Sequence, residues 1–229
     1  MKRSEINKAL REMEQMVHDY RYFLPKFCDF TPQEWASKGH EWDEVRDNML
    51  GWDITDFGQG DFDRVGFSLI TIRNGNQQHP DRYPKPYAEK FLFLKEGQMA
   101  LNHFHWYKME DIINRGGGNL VFRLWNADKD EKVDRESPVK IFSDGREYTV
   151  AAGSDIILKP GQSLSLYPYY YHEFTIQPGT GYAIIGEVSM CNDDNTDNRF
   201  EEAQGRFPTI EEDEPAYRLL CTEYPPAKD

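Results

Sequence analysis

A mainly β protein, a sandwich or closed barrel preceded by a helical segment, is what the sequence predicts. Three observations carry that expectation. From about residue 52 onward, short runs rich in Val, Ile, Phe, Tyr and Thr recur, parted by Gly, Pro, Asn and Asp. The first fifty residues instead space their apolar side chains by three and four and carry helix caps. Aromatic residues make up 14% of the chain, which suits a packed β structure with a ring-lined cavity. At 229 residues there is enough chain for one well-filled core. The expected organisation is a helical extension over residues 1–51 packed on a β domain over residues 52–229.

Residues 4–24 read as a helix, because Ile6, Leu10, Met13, Met16, Val17 and Tyr20 share a face, with Ser4 as cap and Pro25 as stop. Thr31-Pro32-Gln33-Glu34 is a capping box with Pro at the first helical position, opening a short helix that ends near Gly39. Residues 41–50 form a further helical segment closing at Gly51. The β region starts at 52–57. Strands are expected at 67–73, with an Asn74-Gly75 turn, and at 87–95, where Lys90, Leu92 and Leu94 share one face and Phe91 and Phe93 the other. Further strands are expected at 99–105, 119–125, 139–142, 146–150, 155–158, 163–167, 172–176 and 182–189. Residues 115–119 read as a Gly-rich turn, 126–138 as a charged loop, 192–198 as a polar loop and 217–221 as a last strand. His79 lies in a Pro-rich loop and reads as exposed.

A formal net charge of -13 argues against nucleic acid or an anionic membrane as partner. Cys28, Cys191 and Cys221 are odd in number and widely spaced, which fits a reducing compartment and no disulfide framework. Residues 1–10 lack the apolar core of a signal peptide, and no run approaches the length of a membrane span, so a cytoplasmic location is expected.

The chemistry concentrates in residues 97–118. His103 and His105 are two apart; on a strand they leave the same face with Cα atoms roughly 6–7 Å apart, close enough to share one metal ion. Glu110 follows at a distance that lets a bend bring its carboxylate to the same point. His172, in Tyr169-Tyr170-Tyr171-His172-Glu173-Phe174, is the candidate for a fourth ligand. Three imidazoles and one carboxylate suit Mn, Fe, Co, Ni or Zn, and leave room for a substrate to bind through two neighbouring oxygens, as at the reactive end of a sugar.

The spacing of Gly97, His103, His105, Glu110 and Gly117 resembles the first motif of the cupin superfamily. Gly161, Pro168 and His172 resemble the second, with one extra residue between Gly and Pro and the His one residue early. The runs 106–118, 50–58, 87–90, 186–189 and 211–215 are further similar to the cupin-type D-lyxose isomerases, over almost the whole chain. That resemblance implies a cupin-type β-barrel or jelly roll and manganese dependence. It also implies a homodimer that interconverts D-lyxose and D-xylulose, and more slowly D-mannose and D-fructose. Such an isomerisation needs a group that takes and returns a carbon-bound proton. Glu187 is the candidate base, Lys90 the candidate partner at the sugar oxygens, and Lys108 a third candidate whose parity from His105 requires a bend. The bland alternative for Glu187 is an exposed strand carboxylate. Trp52, Trp106 and the tyrosines of 167–171 are either sugar platforms or core aromatics. The absence of a G-x-x-x-x-G-K-[ST] loop and the excess of acidic residues lean towards a free sugar. A cupin dioxygenase and a non-catalytic sugar-binding module are the competing readings.

Overall fold

The computed structural model describes residues 1–229. Two antiparallel sheets face each other. The larger has the strand order β1 (Gly51–Thr55), β2 (Phe67–Arg73), β3 (Tyr87–Lys95), β13 (Tyr182–Met190), β5 (Glu110–Gly117), β11 (Ser163–Leu166), β8 (Val139–Ser143), β9 (Arg146–Val150). The smaller runs β10 (Ile156–Leu158), β6 (Leu120–Ala127), β12 (Tyr170–Ile176), β4 (Met99–Phe104), β14 (Arg199–Phe200), with β7 (Val133–Asp134) paired to β6. The mainly β barrel expected from the alternating runs is therefore present.

The period of two sorts side chains between two cores. On β3, Leu92 and Leu94 enter the space between the sheets with Leu69, Phe122, Phe174 and Ile185. Phe91 and Phe93 leave by the opposite face and join a second core with Ile6, Leu10, Met13, Trp35 and Trp52. The N-terminal helices thus cover the outer face of the larger sheet. Chain segments 1–51 and 52 onward share this second core, since Ile54, Ile70 and Leu220 belong to it as well.

Several boundaries differ from the sequence reading. Helix α1 (Arg3–Asp19) stops well before Pro25, because Arg21 takes a positive φ of 53° and turns the chain. Ser4 does not cap it; its Oγ donates to Asp213 Oδ2 at 2.6 Å, and Lys2 holds the cap position. The Thr31 box forms as expected, with Thr31 Oγ1 accepting from Glu34 N at 3.2 Å, and opens the one-turn α2 (Pro32–Trp35). The segment 41–50 is a 3-10 turn (His40–Trp42) followed by α3 (Asp43–Asp47). A short α4 (Phe62–Val65), capped by Asp61, was not anticipated. Residues 115–119 are not wholly a turn: β5 continues to Gly117, whose φ of 88° and whose Cβ position, 2.2 Å from Tyr182 O, admit no side chain. Residues 217–221 form no strand. They pair with the sheet through a single bridge, Leu220 to Trp52, while Leu220 packs into the outer core. No helix is long and apolar enough to cross a membrane.

The tail closes back on the N-terminus. Arg3 is buried and pairs with Glu212 at 2.6 Å and with Glu223. Arg3 N donates to Glu211 O at 2.8 Å, and Asn7 Nδ2 to Glu214 Oε1 at 2.6 Å.

Candidate active site

Strand register brings the four expected ligands together from both sheets. On the smaller sheet His172 of β12 lies directly opposite His103 of β4. β4 ends at Phe104, and His105 follows at the start of a turn. Asp197 shapes that turn: its carboxylate accepts from Tyr107 N at 2.9 Å and Lys108 N at 3.0 Å, and its carbonyl accepts from His105 Nδ1 at 2.6 Å. On the larger sheet Glu110 begins β5 opposite Ser189 of β13, and Glu187 stands opposite Lys90 of β3. The bend at 105–109 resolves the parity difficulty for Lys108, whose side chain turns inward and is buried.

The imidazoles are held in one tautomeric sense. His103 Nδ1 pairs with Leu101 O at 2.7 Å, His105 Nδ1 with Asp197 O at 2.6 Å and His172 Nδ1 with Tyr170 O at 3.0 Å. A backbone carbonyl can only accept, so each Nδ1 carries the proton and each Nε2 presents a lone pair. Ligand atoms of all three rings lie within 4.8 Å of one another. Glu110 Oε1 sits 3.4 Å from both His105 Nε2 and His172 Nε2. Burial, reinforced by the neighbouring imidazoles, pushes His103 well below the usual histidine value; burial brings His172 down to about 4 although Glu110 opposes it. His105 Nε2 is buried and has no hydrogen-bond partner. An orphaned, unprotonated nitrogen among two like it and a carboxylate fits a divalent cation of the imidazole- and oxygen-binding class. No cysteine lines this cavity.

Next to the ligands runs a chain of buried charges of alternating sign. Lys108 Nζ lies 2.7 Å from Glu110 Oε2 and 3.1 Å from Glu187 Oε1. Lys90 Nζ lies 3.6 Å from the same Glu187 oxygen and 3.9 Å from Asp194 Oδ1. Arg206 then joins Asp194 at 3.5 Å to Asp53 at 2.5 Å. For Lys108, Glu110, Asp194 and Arg206 the partners outweigh burial, whereas for Asp53 burial wins over Arg206 and raises the carboxyl above its usual value. Glu110 and Glu187 hold the Lys108 ammonium above the ordinary lysine value, Lys108 keeps Glu110 well below the carboxylate range, and Lys90 and Arg206 do the same for Asp194. Glu187 Oε1 also accepts from Ser189 Oγ at 3.2 Å. No hydrogen bond engages its Oε2, so one carboxylate oxygen is pinned and the other is free.

A cavity of about 50 Å³ lies over the ligands, walled by Phe57, Phe67, Phe174 and Phe200 and by Arg206, whose Nη1 is buried without a partner. The aromatic platform expected from Trp52, Trp106 and the tyrosines does not line it. Trp52 is core, its Nε1 donating to Cys28 O at 2.8 Å, and Trp106 is tied to Glu131 at 2.9 Å. Arg115 lies against an outer apolar hollow with Tyr22 and Phe91, and His79 on a separate polar cavity. Sequence reasoning missed Asp53, Asp194, Asp197 and Arg206. The last three lie in or beyond a stretch with no periodicity, where nothing local betrays a buried charge.

A protein-family model for D-lyxose isomerase matches residues 1–224. The chain belongs to the D-lyxose isomerase family. Within it, the chain is 44% identical to the D-lyxose/D-mannose isomerase of Escherichia coli O157:H7 and 45% identical to that of Serratia proteamaculans, each over 98% of both chains. Among solved structures, the fold matches L-ribose isomerase from Acinetobacter sp. DL28 in complex with L-ribose, with a TM-score of 0.60, 14% identity, and coverage of 92% of this chain and 98% of that one. L-ribose isomerase from Cellulomonas parahominis matches over the same shares with a TM-score of 0.57 and 16% identity. At those identities the likeness is one of fold, and the fold is the cupin-type barrel expected for a D-lyxose isomerase. As a member of this family the chain is a sugar isomerase.

Proposed function

We propose that this isomerase interconverts D-lyxose and D-xylulose, with D-mannose and D-fructose as further substrates, by proton transfer within the barrel. The observation that supports this most directly is the placement of Glu187 beside the three imidazoles and Glu110, joined to Glu110 through one shared ammonium, Lys108. His103, His105, His172 and Glu110 would hold the divalent ion, and the nitrogen and oxygen donor set is compatible with Mn2+. When bound, the ion supplies Lewis acidity at the sugar's two reacting oxygens.

The chain's own residues supply the rest. Glu187 Oε2 takes the proton from C2 of the aldose and returns it to C1, so that the C2–H bond breaks and a C1–H bond forms with no net change in protons. Its other oxygen is fixed by Lys108 and Ser189, which aims the free one. Lys108 and Lys90 place positive charge where the enediolate develops negative charge, and the Lys108 ammonium can hand a proton between the sugar oxygens. Arg206, with an unused Nη1 in the cavity wall, binds a hydroxyl further along the chain of the sugar. His103 is the least buried of the three imidazoles and marks the open side of the site. The protein works as a cytoplasmic homodimer, and residues 1–51 form a helical extension on the barrel of residues 52–229; these three statements are part of the proposal.

The test is turnover of D-lyxose by manganese-reconstituted protein without oxygen, in heavy water. The reading expects full activity under nitrogen and deuterium at C1 of the ketose formed from D-lyxose. Loss of activity on removing oxygen would overturn it in favour of an oxygenase. Complete retention of substrate hydrogen would overturn the open proton transfer.

A further inference from the structure

A second and larger cavity lies behind the acid–base cluster. It measures about 530 Å³, within the range of small-molecule sites, and its walls come from the 47–49 turn, the 74–79 loop, Arg82 and the 192–195 turn. Met49 is its one apolar residue. Asn192 stands in the partition between this cavity and the charged cluster. Its Oδ1 accepts from Lys90 Nζ at 2.7 Å and from Lys108 Nζ at 3.2 Å, and its amide faces the Asp194 carboxylate, which it helps to keep ionised. The partition is braced from the cavity side: Asn192 N donates to Asn74 Oδ1 at 2.9 Å, and Asn74 Nδ2 donates to Asn192 O at 3.0 Å. Asn48 and Asn76 extend the same cross-linked amide wall, with Asn76 Nδ2 donating to Asn48 Oδ1 at 3.1 Å.

The lining selects a chemical class by elimination. Three carboxylates, Asp47, Asp193 and Asp194, face Arg82 as the one permanent cation, which disfavours a phosphate or another anion. Those carboxylates are already committed: Asp47 to Arg82 and Tyr83, Asp193 to Asn195 and Thr196, Asp194 to Lys90 and Arg206. They therefore do not converge on a cation. An apolar ligand would find Met49 alone. What remains is an uncharged molecule dense in hydroxyl groups, able to exchange water's hydrogen bonds for amide ones.

We propose that this cavity is a second binding site for a free sugar or alditol, in contact with the catalytic cluster through Asn192. The sugar class rests on the isomerase reading of the first site, whereas the site itself rests on the cavity. A ligand hydroxyl that competes with Asp194 for the Asn192 amide would change the polarisation of the carboxamide and with it the Oδ1 acceptor that both lysines share. The second site thus touches the reaction without touching the substrate.

The probe is a five-carbon alditol, which lacks a carbonyl and cannot be isomerised. It is titrated by calorimetry, and by NMR of side-chain amides, into metal-loaded and metal-free protein. Binding at the first site depends on the metal and binding at the second does not. The expected count is two alditols per metal-loaded chain and one per metal-free chain, with the Asn192 amide resonance shifting in both. Asn195→Trp and Gln78→Trp each place an indole in the cavity from opposite walls, at exposed positions outside the catalytic cluster. Each variant is expected to weaken metal-independent binding at least tenfold while keeping turnover within twofold of wild type. Metal-free wild type that binds no alditol, or variants that bind it as tightly as wild type, would overturn the proposal. Absent turnover by wild-type protein would instead sink the isomerase reading and leave this count intact.

Discussion

Glu187→Gln is the perturbation that most directly probes the acid–base assignment. Glutamine keeps the shape of the side chain and can keep one oxygen towards Lys108 Nζ, now 3.1 Å from Oε1, and Ser189 Oγ, at 3.2 Å. What it removes is basicity at Oε2 and one negative charge between two ammoniums. A positioned general base contributes about 10²–10⁴ in rate, which is about 3–5 kcal/mol of barrier at 1.36 kcal/mol per tenfold. The loss of charge pulls against folding much less, because Lys108 retains Glu110 at 2.7 Å and Lys90 retains Asp194 at 3.9 Å. The expectation is a kcat lowered by about 10²–10⁴ with metal content unchanged. KM should stay within a few-fold, and exchange of the C2 hydrogen of the aldose should slow in parallel. Initial rates on D-lyxose, elemental analysis and proton exchange followed by NMR measure the three quantities. A variant that holds metal normally and turns over within tenfold of wild type would refute the assignment, and the base would have to be sought elsewhere in the cavity.

Other expectations follow from the same geometry. Lys108→Met leaves Glu110 and Glu187 buried without their shared cation, and should lower stability by about 3–5 kcal/mol in metal-free protein, read as a shift in urea midpoint; an unchanged midpoint would mean that the cluster is wetter than its burial indicates. Metal-free protein should lose stability as pH falls from about 6.5 towards 4. His172 is held at about 4 in the fold against 6.5 in the unfolded chain, so the unfolded state binds the proton first, worth about 3 kcal/mol at the bottom of that window; a flat acid limb in chemical denaturation would contradict this. Arg3→Met should cost about 2–3 kcal/mol, because a buried guanidinium loses charge-assisted bonds to Glu212 and Glu223, the former largely exposed. Less than 0.5 kcal/mol in the same assay would show the clasp to be ornamental. Gly117→Ala combines a positive φ with a Cβ 2.2 Å from Tyr182 O, and should lower the thermal midpoint by several degrees.

How much of this was legible in the sequence depended on whether the signal was local. The period of two on β3 separated Lys90, Leu92 and Leu94 from Phe91 and Phe93, because alternation is a property of the strand itself; which face turns inward is seen only in the fold. The spacing from Gly97 to Gly117 put His103, His105 and Glu110 forward as one candidate ligand set through the motif it resembles, and a bend after β4 rather than alternation brings Glu110 to 3.4 Å from His105. His172 was reachable by elimination, and its partner across the sheet is His103. Lys108 was harder: parity argued against it, and the bend that reverses the argument is made by Asp197, some ninety residues away. Arg206 and Asp53 belong to the same cluster yet stand 153 positions apart. Contacts of that separation leave no trace in periodicity. The end of α1 was misjudged because Arg21 takes a φ that composition alone does not demand, and β5 was not anticipated because its Gly-rich end reads as a turn.

The clasp of Arg3 by Glu212 and Glu223 has a bearing on how the molecule is made. Translation delivers Arg3 well before either of its carboxylate partners, Glu212 and Glu223, so α1 waits with a lone guanidinium until they emerge. Arg206, which completes the row of charges beside the ligands, arrives in the same late portion. Nascent chains stalled before residue 206 should therefore have a barrel without a competent centre, and catalysis should switch on only once that residue has emerged and paired with Asp194 and Asp53.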